Sequence, residues 1–148
     1  MPNLNGGLQS QQTNDMAFIY FNPNPDQRLT EDCVIRAICA ATNRDWEDVY
    51  IDVVIQGLFM HNMPEANSVW GEYLTNLGFE KTLVPNKCPH CYTLREFCAD
   101  NPKGIYVINT DNHAVAVVNG DYYDTWDSGN EIVNYYWKRS EINEQLSI

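Results

Sequence analysis

Cys33 has a sequence setting that favours a reactive thiolate. The residue follows the acidic Asp32, and apolar side chains then recur at helical spacing, at Val34, Ile38 and Ala41. This pattern predicts a helix that begins at or near Cys33. Unpaired backbone N–H groups and the positive end of the helix dipole stabilise a thiolate at such a position and lower the thiol pKa. Cys33 is therefore a candidate nucleophile, although a cysteine is more commonly a small apolar residue in a helix–sheet seam.

A histidine and a carboxylate are predicted to meet on a β-hairpin in the C-terminal half of the chain. The dipeptide Asn119-Gly120 separates two segments whose alternating pattern predicts strands, and it is the strongest short-range signal for a hairpin. In the register that a two-residue loop sets, His113 and Asp124 lie diagonally on one face, within reach of each other. Asp127 falls on the opposite face and is the weaker candidate for orienting the imidazole.

These residues resemble those of the papain-like cysteine peptidases, and among them the compact bacterial type that includes the C39-like domains. The order is the same: a cysteine at the start of the first core helix, a histidine on a later strand, and a carboxylate or amide on the next strand. Gln27 stands six residues before Cys33, where the family carries the glutamine of its oxyanion hole. The segment 124–126, Asp-Thr-Trp, is similar to the family's Asn-Ser-Trp. Papain itself has an aromatic residue where this chain has Val34, and its third catalytic residue is Asn where this chain has Asp124.

The resemblance implies a thiol-dependent hydrolase that cleaves an amide or peptide bond of a protein or peptide substrate through an acyl-enzyme, without a cofactor. Cys33 would be the nucleophile, His113 the base and then the acid, and Asp124 the group that orients the histidine. Gln27 would donate to the oxyanion, and Trp126 would cover the histidine–carboxylate pair. Two alternatives remain open: acyl transfer or deamidation by the same residues, and a non-catalytic protein-binding module on a peptidase-like fold.

Cys88 and Cys91 form a C-x-x-C motif, which can be a redox pair or half of a zinc site. Residues 93–96 predict a capped helix just downstream, which is part of the context of a redox motif. A structural zinc site needs four ligands, and nearby the sequence adds only His90 and Cys98, with no second C-x-x-C. We therefore expect a loop with incidental thiols and keep Cys88 and Cys91 as a weak zinc candidate.

Composition predicts one globular domain over residues 16–148, preceded by a flexible arm rich in Asn, Gln and Gly over residues 1–15. The formal charge of −11 would repel nucleic acid and anionic lipid, so we expect neither as a partner. The N-terminus lacks the charged and apolar regions of a secretory signal, and no apolar run approaches a membrane span. These features predict a cytoplasmic protein, whose oligomeric state the sequence leaves open.

The order of the predicted elements indicates an α+β fold of papain-like type, with N-terminal helices packed on a C-terminal antiparallel sheet. Helices are predicted to begin at Cys33, after Asp45 and after Pro64, and the apolar stripe of the second helix is expected to be core. A cleft between the two layers would bring Cys33 and His113 together. The C-terminal strands are expected as a meander over residues 104–110, 113–118, 121–126 and 132–137.

Overall fold

A computed structural model describes residues 16–87 and 89–141 as a mixed α+β fold. The helices are α1 (Cys33–Thr42), α2 (Trp46–Met60), α3 (Asn67–Asn76) and α4 (Leu94–Asp100). The strands are β1 (Phe18–Tyr20), β2 (Phe79–Leu83), β3 (Ile105–Thr110), β4 (His113–Val118), β5 (Asp121–Asp124) and β6 (Tyr135–Arg139). The arm predicted for residues 1–15 and the thiol of Cys88 lie outside the described residues. None of the described helices has the length and apolar character needed to cross a membrane.

The six strands form one sheet in the order β1-β5-β4-β3-β6-β2. All neighbouring strands are antiparallel except β1 and β5, which are parallel. The sheet is therefore mixed, whereas the sequence predicted a purely antiparallel sheet. The last strand also departs from the expected meander, because it begins at Tyr135 and lies between β3 and β2. Alternation in the sequence predicts a strand, but it does not identify the partner of that strand or its direction.

The β4–β5 hairpin has the loop and register that the sequence predicts. Asn119 and Gly120 both have positive φ, 50° and 83°, which is the backbone conformation of a type I′ turn. Val118 pairs with Asp121 across this loop. The hairpin therefore places the beginning of β4, where His113 lies, beside the end of β5.

Both faces of the sheet are covered by helices. On β3 the neighbouring residues Val107 and Ile108 point to opposite faces, and both are fully buried. The N-terminal helices cover one face, with Ile38 of α1 and Leu74 of α3 in that core, while Phe97 of α4 packs on the other. The expected two-layer arrangement is therefore incomplete, because a sheet with two apolar faces needs a cover on each.

The helix predicted after Asp45 begins at Trp46 as expected, but only part of its apolar stripe is core. Val53 is 1% exposed, whereas Tyr50 is 47% and Leu58 is 69% exposed. The stripe is wider than the surface that α1 and α3 cover. The uncovered part of α2 includes Tyr50, which lines the cavity described below.

Candidate active site

Cys33 is the first residue of α1 and lines a cavity of about 1470 Å³. Asp32 is the N-cap residue, but its side chain makes no capping hydrogen bond. Its carboxylate accepts instead from Arg36 and, at 2.9 Å, from Nε1 of Trp46. The first turn of α1 therefore has no side-chain cap, and the positive end of the helix dipole lies at Cys33.

The environment of Cys33 favours its thiolate. Burial by itself raises the pKa of this thiol, but a hydrogen bond with the His113 side chain opposes that effect most strongly. A backbone hydrogen bond from Ala114 and the positive charges of His113 and Arg36 act in the same direction. Together they bring the pKa of Cys33 below its ordinary value. The neighbouring strand β4 supplies both hydrogen-bonding partners, because α1 packs on it.

His113 is linked to the carboxylate of Asp124, with 2.6 Å between Nε2 and Oδ2. Burial lowers the pKa of His113, but the hydrogen bonds to Asp124 and Cys33, with the charges of both groups, raise it to about 9. Since Nε2 is directed at Asp124, Nδ1 is the ring nitrogen that remains for Cys33. A lowered thiol pKa beside a raised imidazole pKa favours a thiolate–imidazolium pair at neutral pH.

Asp124 is 1% exposed and is held ionised by four donors. Nε2 of His113 and, at 2.7 Å, Oγ of Ser128 bind Oδ2. The Thr125 backbone N–H and Nη2 of Arg36 bind Oδ1, at 2.8 and 3.1 Å. Burial raises the pKa of Asp124, but the hydrogen bonds, with those of His113 and Ser128 the strongest, lower it overall. The carboxylate is therefore an anion that fixes the orientation of the imidazole.

Arg36 and Ser128 belong to the site and were not among the predicted residues. The side chain of Arg36 is 6% exposed and bridges Asp32 and Asp124. One signal in the sequence could have indicated this arginine, since Asp32 and Arg36 have the i,i+4 spacing of a helical ion pair within an apolar segment. No comparable signal marks Ser128, because its contact with Asp124 depends on the path of the loop after β5.

Trp126 and Asp127 follow β5 and have different surroundings. The Trp126 ring lies 5.1 Å from the His113 ring, between centroids, and remains 45% exposed. It lies beside the histidine that it is expected to cover from the resemblance to papain-like peptidases. The Asp127 carboxylate instead binds Nη2 of Arg95 at 3.0 Å and accepts from the Tyr122 hydroxyl. Asp124, and not Asp127, is therefore the carboxylate that contacts His113.

Gln27 does not reach the cavity, contrary to its predicted place beside Cys33. Its side-chain NH₂ group donates to the carbonyl oxygens of Asn22 and Asn24, at 3.3 and 3.1 Å. The cavity is lined by Asn24 and Arg28 from this loop, but not by Gln27. The backbone of Gln27 has a φ of 56°, and its side chain turns back onto its own loop. The offset from Cys33 counts residues but does not fix the path of the loop.

Cys39 and Cys98 show no comparable activation. Burial is the main cause that raises the pKa of Cys39 and of Cys98 to about 12. Within residues 16–87 and 89–141, no group of three or more His, Cys, Asp and Glu side chains could hold a metal ion. The weak zinc candidate stays untested, because Cys88 lies outside these ranges while Cys91 lies within them.

Hydrogen bonds join three side chains in a row: the Cys33 thiol contacts the His113 imidazole, and the imidazole contacts the Asp124 carboxylate. A thiolate, a protonated imidazole and a buried carboxylate in this order are the components of nucleophilic catalysis by cysteine. Comparison of the chain with protein-family models, with curated proteins and with solved structures gave no match. Function is therefore inferred from the geometry and charge of these side chains.

Proposed function

We propose that the protein is a thiol-dependent hydrolase of papain-like type that cleaves an amide or peptide bond through an acyl-enzyme on Cys33. The observation that carries the proposal is the link from Cys33 through His113 to the buried Asp124. A structural cysteine at this position would need neither a lowered pKa nor an imidazole with a raised one. Opposite shifts in the pKa values of a thiol and an imidazole that contact each other in a cavity mark a candidate functional site.

In the acylation step the Cys33 thiolate attacks the carbonyl carbon of the scissile bond and forms a tetrahedral oxyanion. When that intermediate collapses, the C–N bond breaks and the protonated His113 gives its proton to the leaving amine. The product is a thioester on Cys33 and a neutral imidazole. Asp124 stays ionised and keeps the ring in the tautomer that presents Nδ1 to the reaction.

In the deacylation step the neutral His113 removes a proton from water as the water attacks the thioester carbonyl. The C–S bond then breaks, a carboxylic acid leaves, and the thiolate–imidazolium pair is restored. The sum is one amide and one water converted to one acid and one amine. Trp126 covers the histidine during both steps, and the lower local dielectric strengthens the bond between His113 and Asp124.

The size and lining of the cavity support a protein or peptide substrate. A volume of about 1470 Å³ exceeds the roughly 300–1,000 Å³ of most small-molecule sites. Aromatic side chains from two helices line it, Trp46 and Tyr50 from α2 and Trp70 from α3. An extended chain could therefore lie along α2 with its scissile bond at Cys33.

The proposal is tested with p-nitrophenyl acetate as a small acylating probe. The wild-type chain should release one equivalent of p-nitrophenolate in a fast phase and carry one acetyl group on the peptide that contains Cys33. Cys33→Ala should lose both signals, His113→Ala should lose the fast phase, and Asp124→Asn should slow it. Cys39→Ala is the matched control, because it makes the same substitution on the same helix at a buried thiol whose pKa is about 12.

The outcomes separate hydrolysis from its alternatives. Absence of a fast phase in the wild type, or an equal fast phase in His113→Ala, would contradict an activated pair and favour a non-catalytic binding module. Loss of the acetyl group from Cys33 to water, with repeated turnover of p-nitrophenyl acetate, supports hydrolysis. Transfer of the acetyl group to an added primary amine in preference to water would instead favour an acyltransferase.

A further inference from the structure

We propose that the outer face of α2 is a docking surface for a basic amphipathic segment of the protein substrate, in which apolar side chains stand beside Lys or Arg. The outer face consists of six exposed apolar side chains of this helix, Tyr50, Ile51, Val54, Ile55, Leu58 and Phe59. This inference rests on the hydrolase function proposed above and names the class of substrate that reaches Cys33.

The exposed apolar side chains of the protein are concentrated on α2 and the turn after it. Of the twelve large ones among the described residues, eight lie within residues 50–63. The buried side of the helix, with Val49 and Val53, belongs to the core that α1 and α3 share. The outer face has no such cover among the described residues. Folded monomers rarely expose a large contiguous apolar patch, and such patches mark interaction sites.

The outer face continues into the cavity that holds Cys33. Tyr50 and Val54 are exposed and also line the cavity. They stand about one helical turn apart, and Leu58 follows one turn later in the same row. The adjacent row holds Ile51, Ile55 and Phe59 at the same spacing. A segment bound over both rows therefore reaches the cavity without leaving the apolar surface.

The charges around the outer face favour a cationic occupant. Residues 45–80, which include α2 and α3, contain seven Asp and Glu residues and no Lys or Arg. Glu47 and Asp48 are exposed in the first turn of α2, and Glu65 is exposed in the connection to α3. None of these three carboxylates has an ion-pair partner among the described residues. Acidic groups at the border of an apolar surface select a partner with positive charges in matching places.

The same charges disfavour a second copy of the chain as the occupant. Two outer faces brought together would gain no Lys or Arg from residues 45–80, and each chain has a formal charge of −11. Juxtaposed like charges oppose such a contact. An anionic lipid surface is disfavoured for the same reason.

The test uses a fluorescein-labelled peptide of Leu and Lys as the probe, with Leu at helical spacing over about four turns. Two companion peptides carry Glu in place of every Lys, or Ser in place of every Leu. Binding is measured by fluorescence anisotropy at low ionic strength with the Cys33→Ala chain, which removes cleavage from the measurement. The Leu/Lys peptide should bind most tightly, because it alone complements both the apolar rows and the acidic border.

Leu58→Gln and Leu83→Gln form a matched pair in this background. The two leucines are 69% and 71% exposed, so neither substitution buries a polar group, and only Leu58 lies on the outer face. Leu58→Gln should weaken binding of the Leu/Lys peptide about tenfold, whereas Leu83→Gln, on β2, should leave it unchanged. Glu47→Gln/Asp48→Asn should also weaken binding and reduce its dependence on ionic strength.

A second measurement tests the continuity between the outer face and the cavity. Saturating Leu/Lys peptide should slow the alkylation of wild-type Cys33 by iodoacetamide, because a segment over Tyr50 and Val54 narrows the approach to the sulfur. At the same peptide concentration the effect should be smaller in Leu58→Gln. Binding that leaves the alkylation rate unchanged would overturn the inference that the outer face leads a substrate to Cys33.

The results distinguish failure of this inference from failure of the proposed function. Equal binding of the Leu/Lys and Leu/Glu peptides, or equal binding by Leu58→Gln and Leu83→Gln, would overturn the docking surface and leave acylation by p-nitrophenyl acetate unaffected. A wild-type dimer that Leu58→Gln converts to a monomer in sedimentation would overturn it in favour of a second copy. Binding to phosphatidylcholine vesicles that Leu58→Gln abolishes would overturn it in favour of lipid. If the peptide binds as expected and the wild-type chain is never acylated, the docking surface is supported and the hydrolase is refuted.

Discussion

Nη2 of Arg36 lies 3.1 Å from Oδ1 of Asp124, although the two residues are 88 positions apart. The other oxygen of the same carboxylate lies 2.6 Å from Nε2 of His113. Because Arg36 stands one turn after Cys33 on α1, a single helix carries both the nucleophile and the cation that holds the carboxylate. The docking of α1 on the sheet therefore positions all members of the site together.

Arg36→Met should destabilise the protein strongly. The guanidinium bridges Asp32 and Asp124, whose side chains are 6% and 1% exposed. Its removal leaves the buried Asp32 carboxylate without a cation and leaves Asp124 with His113 alone. We expect a loss of about 3–5 kcal/mol in the free energy of unfolding, measured by urea denaturation at neutral pH.

The control for this prediction is Arg95→Met, the same substitution at an exposed ion pair. Arg95 and its partner Asp127 have side chains that are 43% and 49% exposed, and exposed pairs contribute less than about 1 kcal/mol. Equal losses in the two variants would show that the buried bridge of Arg36 carries no special weight.

Replacement of Trp126 should lower the pKa of His113 without unfolding the protein. Trp126→Ala admits water to the His113–Asp124 hydrogen bond. Water relieves the burial that lowers the pKa of the imidazole, but it weakens the interactions with Asp124 and Cys33 that raise this pKa to about 9. We expect the second effect to be larger, because those interactions set the direction of the overall shift. The C2–H resonance of His113, followed by NMR against pH, should titrate at a lower pH in Trp126→Ala than in the wild type. Trp126→Phe keeps an aromatic cover and should stay close to the wild type. A midpoint that does not move in Trp126→Ala would refute the covering role.

The charge of the cavity predicts a preference for cationic reagents. Beyond the ion pair of Asp32 with Arg36, five acidic residues and one arginine, Arg28, line it, in a chain of formal charge −11. The acidic residues are Asp26, Glu31, Glu47, Glu65 and Asp111. Trimethylammonium-ethyl methanethiosulfonate should modify Cys33 about tenfold faster or more than the sulfonato-ethyl reagent of similar size.

Salt provides the control for this charge effect. The difference between the two reagents should shrink as ionic strength rises, because screening shortens the reach of the acidic side chains. The double variant Glu31→Gln/Glu47→Gln should reduce it in the same direction. A faster reaction with the anionic reagent would show that the positive groups near the sulfur, and not the acidic wall, control access.

Local signals predicted the parts of the fold that depend on neighbouring residues. Asn119-Gly120 predicted the loop and register of β4–β5, and hence the meeting of His113 and Asp124. The capping box at Thr93 predicted the start of α4. Each depends on backbone conformation or side-chain alternation over a few residues, which sequence alone constrains.

The parts that depend on distant packing were missed. The position of β6 between β3 and β2, the parallel pairing of β1 with β5, and the place of α4 on the second face all require knowledge of which surfaces meet. The same limit explains why Ser128 was not anticipated and why Gln27 was placed wrongly. A loop of fixed length can follow several paths, and the bonds of Asn24 select one of them.

The central claim, that His113 activates Cys33, is tested most directly by the pH dependence of iodoacetamide alkylation mapped to individual cysteines. Because the pKa of the wild-type Cys33 is lowered, its alkylation should reach half-maximum below the pH at which an ordinary thiol does. Cys33 should also be labelled well before Cys39 and Cys98.

His113→Ala removes a hydrogen bond and a positive charge but leaves burial, which raises the pKa, so the midpoint for Cys33 should move to higher pH. His90→Ala, at an exposed histidine, should leave it unchanged. A Cys33 midpoint at the ordinary thiol value in the wild type, or the same midpoint with and without His113, would contradict the account.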